Sequence, residues 1–131
     1  MAGGQYQPPR VHLVKSYGLT LCLKADPAAV EEYRAYHRRV WPEVLAGLRE
    51  VGISTMRIYL LGRRLFMYVE TDDSFDPSRD FARASAGTRA REWDRLMRSL
   101  QERALESQPE DWWAPMEEVF DLGWPQHLPA P

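Results

Sequence analysis

The sequence predicts an α+β fold, an antiparallel sheet with helices on one face, in the order β-α-β-β-α-β. Three observations predict it. Two Asp-Pro pairs, Asp26-Pro27 and Asp76-Pro77, each open a stretch with helical apolar spacing. Alternating runs of apolar residues precede, separate and follow those stretches. A short Gly62-Arg63-Arg64 link joins two such runs as a hairpin.

The first strand covers Tyr17 to Leu23, with Tyr17, Leu19, Leu21 and Leu23 on one face and Gly18, Thr20 and Cys22 on the other. Asp26 then serves as N-cap and Pro27 as first helical residue. The apolar stripe Val30, Tyr33, His37, Val40, Trp41, Val44, Leu48 and Val51 carries the helix to Val51, where Gly52 stops it. Pro42 should kink or split this helix after Val40 or Trp41. Ser54 to Leu61 and Leu65 to Thr71 form the hairpin strands. The second helical region starts at Asp76-Pro77 and is interrupted at Gly87-Thr88. It continues with Trp93, Leu96, Met97, Leu100 and Ala104 on one face. A loop with Pro109, Trp112, Trp113 and Pro115 leads to a last strand, Glu117 to Leu122. The element order is that of the ferredoxin-like arrangement. Its sheet has a second face that no helix covers, and this face is not fully polar. A two-fold homodimer with sheets packed face to face is the expected remedy.

Residues 12–123 are read as one domain, between a flexible N-terminal segment (1–11) and a flexible C-terminal tail (124–131), both Gly- or Pro-rich. At 131 residues the chain has no room for a separate cofactor domain. Seventeen Lys and Arg against nineteen Asp and Glu leave a net charge of -2, which gives no footprint for nucleic acid. The arginines from Arg83 to Arg103 are interleaved with Glu92, Asp94 and Glu102, a solvated face. No apolar run reaches the roughly eighteen residues of a membrane span, and no secretory leader is evident. One cysteine, Cys22, excludes an internal disulfide and suits a cytoplasmic location.

Dinucleotide, Walker, HExxH and GxSxG signatures are all missing, and the histidines and single cysteine do not form a metal-ligand set. Of three histidines, His12 and His127 fall near the ends. His37 sits in the middle of an apolar stripe, one turn after Tyr33 and one turn before Trp41. It reads either as a satisfied core histidine or as the acid–base group of a small pocket. Aromatic walls suit the C–H faces of a sugar, phenols and carboxylates suit its hydroxyls, and an imidazole exchanges protons near neutrality. Trp93 is a candidate wall. Glu70, at a strand end, reads as a polarising group or as a solvated carboxylate.

The stretches EEYRAYHRRVWPEVLAGLREVGI, MRIYLLGRRLFMYVETDD, WDRLM and WWAPMEEVFDL together resemble the L-rhamnose mutarotase family, from about Tyr17 to Leu122. The most specific part is Tyr33, His37, Trp41, Pro42 and Glu43; the Glu118 to Leu122 ending supports it. The resemblance implies a dimeric α+β barrel that interconverts the α and β anomers of L-rhamnose or a related deoxysugar without metal or cofactor. It implies His37 as catalytic proton donor and Tyr33 as a sugar contact. It also points to Met56, where the family often has tyrosine, with Tyr59 as the nearest phenol but on the opposite strand face. It further points to Trp93 and Asp94, where the family often has paired tryptophans, and Trp112 and Trp113 offer rings from the later loop. The rival readings are a non-catalytic sugar-binding or regulatory module, and a monooxygenase-type enzyme on the same barrel, cofactor-free or haem-linked.

Overall fold

The computed structural model describes residues 14–124, so His12, His127 and most of both terminal segments lie outside the described residues. Strand β1 (Lys15–Leu23) buries Leu19, Leu21 and Leu23 beneath the helices, as its alternation predicts. Helix α1 (Pro27–His37) begins with the Asp26 side chain accepting from Ala28 N at 3.0 Å. It ends at His37, earlier than Val40 or Trp41. The Arg38 N–H reaches both the Arg34 and Ala35 carbonyls, at 3.2 and 3.3 Å, a tightened last turn. Trp41 is extended (φ -63°, ψ 137°), as a residue before proline prefers, and α2 (Pro42–Glu50) follows. The expected long helix is therefore two helices with a four-residue link, 38–41. Gly52, at φ +97°, turns the chain into the sheet; a Cβ there would lie 2.3 Å from the Asp72 carboxylate.

Strands β2 (Ile53–Leu61) and β3 (Arg64–Thr71) form the predicted hairpin, with a bulge between Ile53 and Thr55. Asp76 caps α3 (Pro77–Ala84) by accepting from Ser78 N at 3.0 Å. The buried Asp80 accepts from Arg79, Arg83 and the Asp76 N–H, and these donors, Arg79 foremost, hold its carboxyl far below the usual carboxylate range. Helix α4 (Thr88–Leu100) buries Ala90, Trp93, Met97 and Leu100 and stops before Ala104.

The last expected strand is misplaced in the reading from sequence. The edge of β1 is filled by two short pieces, β4 (Gln101–Glu102) opposite Cys22 and Leu23, and β5 (Ala114–Met116) opposite Gly18 to Thr20. Residues 117–122 lie outside any strand, and Val119, Phe120 and Leu122 are exposed. Their alternation is real, but the hydrogen-bonding edge of β1 from Gly18 to Leu23 is already occupied.

The sheet runs β2-β3-β1-β4, with β5 also on β1, all pairings antiparallel. This is the order of a ferredoxin-like α+β fold. One face carries two adjoining apolar clusters under the helices. The first gathers Leu21, Leu23, Tyr33, Leu65, Trp93 and Met97; the second gathers Leu19, Ile53, Met67, Val69 and Phe75. The other face presents Thr20, Cys22, Tyr59, Phe66, Tyr68 and Glu70, and Tyr59 and Phe66 stack at 6.2 Å.

Helix α2 crosses α3 closely enough that a Cβ on Gly47 would stand 2.4 Å from the Ala84 carbonyl oxygen. Alanine is the better helix former by about 1 kcal/mol. The backbone contact reverses that preference, so Gly47→Ala should lower the urea midpoint; a higher midpoint would contradict this packing.

Candidate active site

The last turn of α1 places Tyr33 and His37 on one side, and their rings face each other with centroids 4.1 Å apart and planes 31° apart. His37 Nδ1 lies 2.8 Å from the Tyr33 carbonyl oxygen. A carbonyl only accepts, so Nδ1 carries the hydrogen and Nε2 of the neutral ring is a lone pair. His37 is half-buried. Burial pushes its pKa below the ordinary 6.5, and the bond to the Tyr33 carbonyl opposes that shift. Burial outweighs that bond. Near neutrality His37 is therefore an uncharged proton acceptor.

Trp93 comes from α4 and meets His37 edge-on, with centroids 5.5 Å apart and planes at 68°. The same indole contacts Tyr36 at 5.9 Å and Trp41 at 5.2 Å, both edge-on. Arg89 stacks its guanidinium over Trp41, 3.8 Å from the ring centroid, and is itself held by Glu92 at 2.7 Å. A continuous run of rings thus leads from Arg89 to the imidazole and ties the 38–41 link to α4.

Tyr33 is buried, with 5% of its surface exposed. Burial drives its phenol well above the ordinary range, and the Gln101 side chain works against that shift. A phenol so placed keeps its proton and acts as a hydrogen-bond donor. Gln101 is buried as well, and its Oε1 accepts from Trp112 Nε1 at 2.8 Å.

The structure gathers Tyr33, His37 and Trp93 and separates the other candidates. Met56 lies on the helix-facing side of β2 but packs with the second cluster; Ile58 touches both clusters. Tyr59 is on the opposite face of the sheet from His37, 55% exposed. Strand alternation dictates this, so within one chain Tyr59 does not reach the imidazole. Glu70 shares that opposite face and accepts from the Tyr68 hydroxyl at 2.7 Å; the group holding His37 is the Tyr33 carbonyl instead. Asp94 follows Trp93 on α4 but pairs with Arg98 at 3.1 Å, and Arg98 lies over the Trp112 ring. Trp112 and Trp113 both pack beside the first cluster.

Gln101 and Arg89 are the residues that reading the sequence missed. Gln101 follows Trp93 and Met97 at helical spacing, so a polar residue on that apolar stripe was the available signal. Arg89 had no distinguishing signal among the arginines of its helix. Among the described residues, no three His, Cys, Asp or Glu side chains converge as a metal site, and no helix is long and apolar enough to cross a membrane.

The described residues form a ferredoxin-like α+β sheet with an imidazole, a phenol and an indole gathered at one helix end. Residues 16–122 match the family model of L-rhamnose mutarotase, and the chain belongs to that family. It is thus a carbohydrate mutarotase, an isomerase. It is 46% identical over 114 residues to a UPF0734 protein of Dictyostelium discoideum, covering 84% of this chain and 91% of that protein. It is 34% identical over 104 residues to a protein named L-fucose mutarotase from Xanthomonas campestris, covering 78% of this chain and 83% of the relative. A crystal structure of L-rhamnose mutarotase from Formosa agariphila shares the fold, with a TM-score of 0.59 at 20% identity, covering 82% of this chain and 98% of the other.

Arg89 is about half exposed, so its stacking on Trp41 should contribute about 0.5–1 kcal/mol. Arg89→Gln is expected to lower the urea unfolding free energy by that amount, and Arg89→Lys by less. An unchanged midpoint in Arg89→Gln would show that the stack does not hold the link.

Proposed function

We propose that this chain interconverts the α and β anomers of L-fucose or L-rhamnose, deoxyhexoses of one class, with His37 as the proton relay. The observation that carries the reading is the His37 Nδ1 bond to the Tyr33 carbonyl, which leaves Nε2 as an acceptor next to a phenol and an indole. Family membership and the similarity to a protein named L-fucose mutarotase support the substrate class.

In this mechanism Nε2 takes the proton of the anomeric hydroxyl while the C1–O5 bond breaks. The Tyr33 hydroxyl donates a hydrogen bond to the ring oxygen as charge develops there. The imidazolium then gives its proton to that oxygen, which leaves an open-chain aldehyde with a neutral hydroxyl. Rotation about C1–C2 presents the other carbonyl face. Closure runs the same transfers in reverse, and no proton is gained or lost overall. His37 is thus acceptor first and donor second, so the donor role that the family resemblance implies is half of its cycle. Trp93 supplies an apolar wall for the sugar's C–H face.

The uncovered face of the sheet belongs to the same reading. Tyr59, Phe66 and Met116 are exposed there, and we place a second copy of the chain against them, sheet to sheet. The free cysteine Cys22, on that face, suits a reducing compartment, the cytosol.

Saturation-transfer NMR between the anomers of L-fucose and of L-rhamnose tests the reading. The protein should accelerate exchange of at least one sugar, and His37→Ala should lower kcat/KM by about 10²-fold or more. Because the neutral ring is the working form and its pKa lies below 6.5, kcat/KM should be highest toward pH 8 and reach half of that level only below pH 6.5. Exchange at the buffer rate for both sugars would refute the activity.

A further inference from the structure

Trp93 is the wall that the reaction above offers to the sugar, yet only 7% of its surface is exposed. A hydrogen bond needs one atom within reach, whereas stacking needs an open ring face. Three rings crowd this indole, all edge-on: His37 at 5.5 Å, Tyr36 at 5.9 Å and Trp41 at 5.2 Å. His37 is tied by its Nδ1 to the Tyr33 carbonyl, and Tyr36 is the farthest of the three. Trp41 is the nearest, and it is held differently. Its backbone is pinned at the start of α2, where its carbonyl accepts from Val44 N at 3.0 Å and from Leu45 N at 3.3 Å. Its indole is held from outside by the Arg89 guanidinium, 3.8 Å from the ring centroid, which Glu92 steadies at 2.7 Å. Arg89 and Trp93 are one turn apart on α4, so the Trp41 indole lies between two side chains of one helix face. Arg89 and Glu92 are each about half exposed, so solvent begins beyond the guanidinium and the indole has room to swing outward.

We propose that Trp41 is a gate over the sugar's wall and Arg89 its latch: the indole covers Trp93 and rotates aside to admit the sugar. The inference rests on the mutarotase reading and on Trp93 as the wall. The motion is a rotamer change of one side chain on a fixed backbone. Sugar binds the open arrangement, so the apparent affinity is reduced by the fraction of molecules that are open. A half-exposed guanidinium over an indole is worth a factor of about 2–5 in that fraction. Weakening the latch therefore tightens apparent binding, the reverse of what damage to a binding wall does.

Arg89→Gln is the test. Anomer exchange of L-fucose and L-rhamnose is followed by saturation-transfer NMR at pH 8 over a range of sugar concentrations. For the sugar that the wild-type protein turns over, Arg89→Gln should lower KM by about 2–5-fold with kcat within about 2-fold. Arg89→Lys, which keeps a cation for the ring, should fall between the two. In a Trp41→Leu background Arg89→Gln should leave KM unchanged, since there is no indole to latch. A measurement on the wild-type protein decides the matter if a variant does not fold. Two indoles 5.2 Å apart couple and give a circular-dichroism band of paired signs, and that band should shrink when the sugar saturates the site. An unchanged or higher KM in Arg89→Gln, an equal fall in KM with and without the Trp41 indole, or a paired band that saturating sugar leaves unmoved would overturn the proposal while leaving the mutarotase reading intact. A wild-type protein that accelerates neither sugar would bring down that reading and this inference with it.

Discussion

The hydrogen bond between His37 Nδ1 and the Tyr33 carbonyl is the constraint on which the site depends. It joins two residues one helical turn apart, so the local geometry of α1 produces it without help from distant loops. It fixes the tautomer, and the tautomer fixes which nitrogen can serve a substrate. Burial against Trp93 and Tyr33 then keeps the ring neutral where a solvated imidazole would already be partly charged. A helix that continued past His37 would carry Arg38 and Arg39 onward as a regular surface. The tightened last turn instead ends α1 at the imidazole.

The remainder of the fold supports that helix end from three sides. The buried alternation of β1 and β3 gives the floor, and α4 gives the wall through Trp93. The link from α1 to α2 is tied back by Trp41, which lies between Trp93 and the Arg89 guanidinium. Tyr33 is buried and faces the His37 ring, so the phenol has little freedom. The two faces of the sheet do different work: one packs the helices and the candidate site, and the other presents Tyr59, Phe66 and Tyr68 to the outside.

Much of this was legible in the sequence because it is local. The Asp-Pro caps of α1 and α3, the alternation of β1 and the hairpin turn depend on residues within a few positions of one another. The pairing of Tyr33 with His37 is likewise an i, i+4 relation, and the match to the family over residues 16–122 agrees with the motif read around them. What was not legible is what distance decides. The alternation of residues 117–122 looked like a strand, but strand formation needs an edge, and the β1 edge had been taken by β4 and β5. Met56 and Tyr59 could be assigned to opposite faces, yet only the packing shows that Met56 belongs to the neighbouring cluster. Gln101 is not legible because a lone glutamine after a helix has no meaning until Trp112 is brought to it.

The most direct measurement is nitrogen-15 NMR of the His37 ring across pH in the intact protein. The account predicts hydrogen on Nδ1 and none on Nε2 at pH 7.5, with a titration midpoint below 6.5. Hydrogen on Nε2 at that pH, or a midpoint above 6.5, would contradict it, because the imidazole would then have no acceptor to offer a sugar near neutrality.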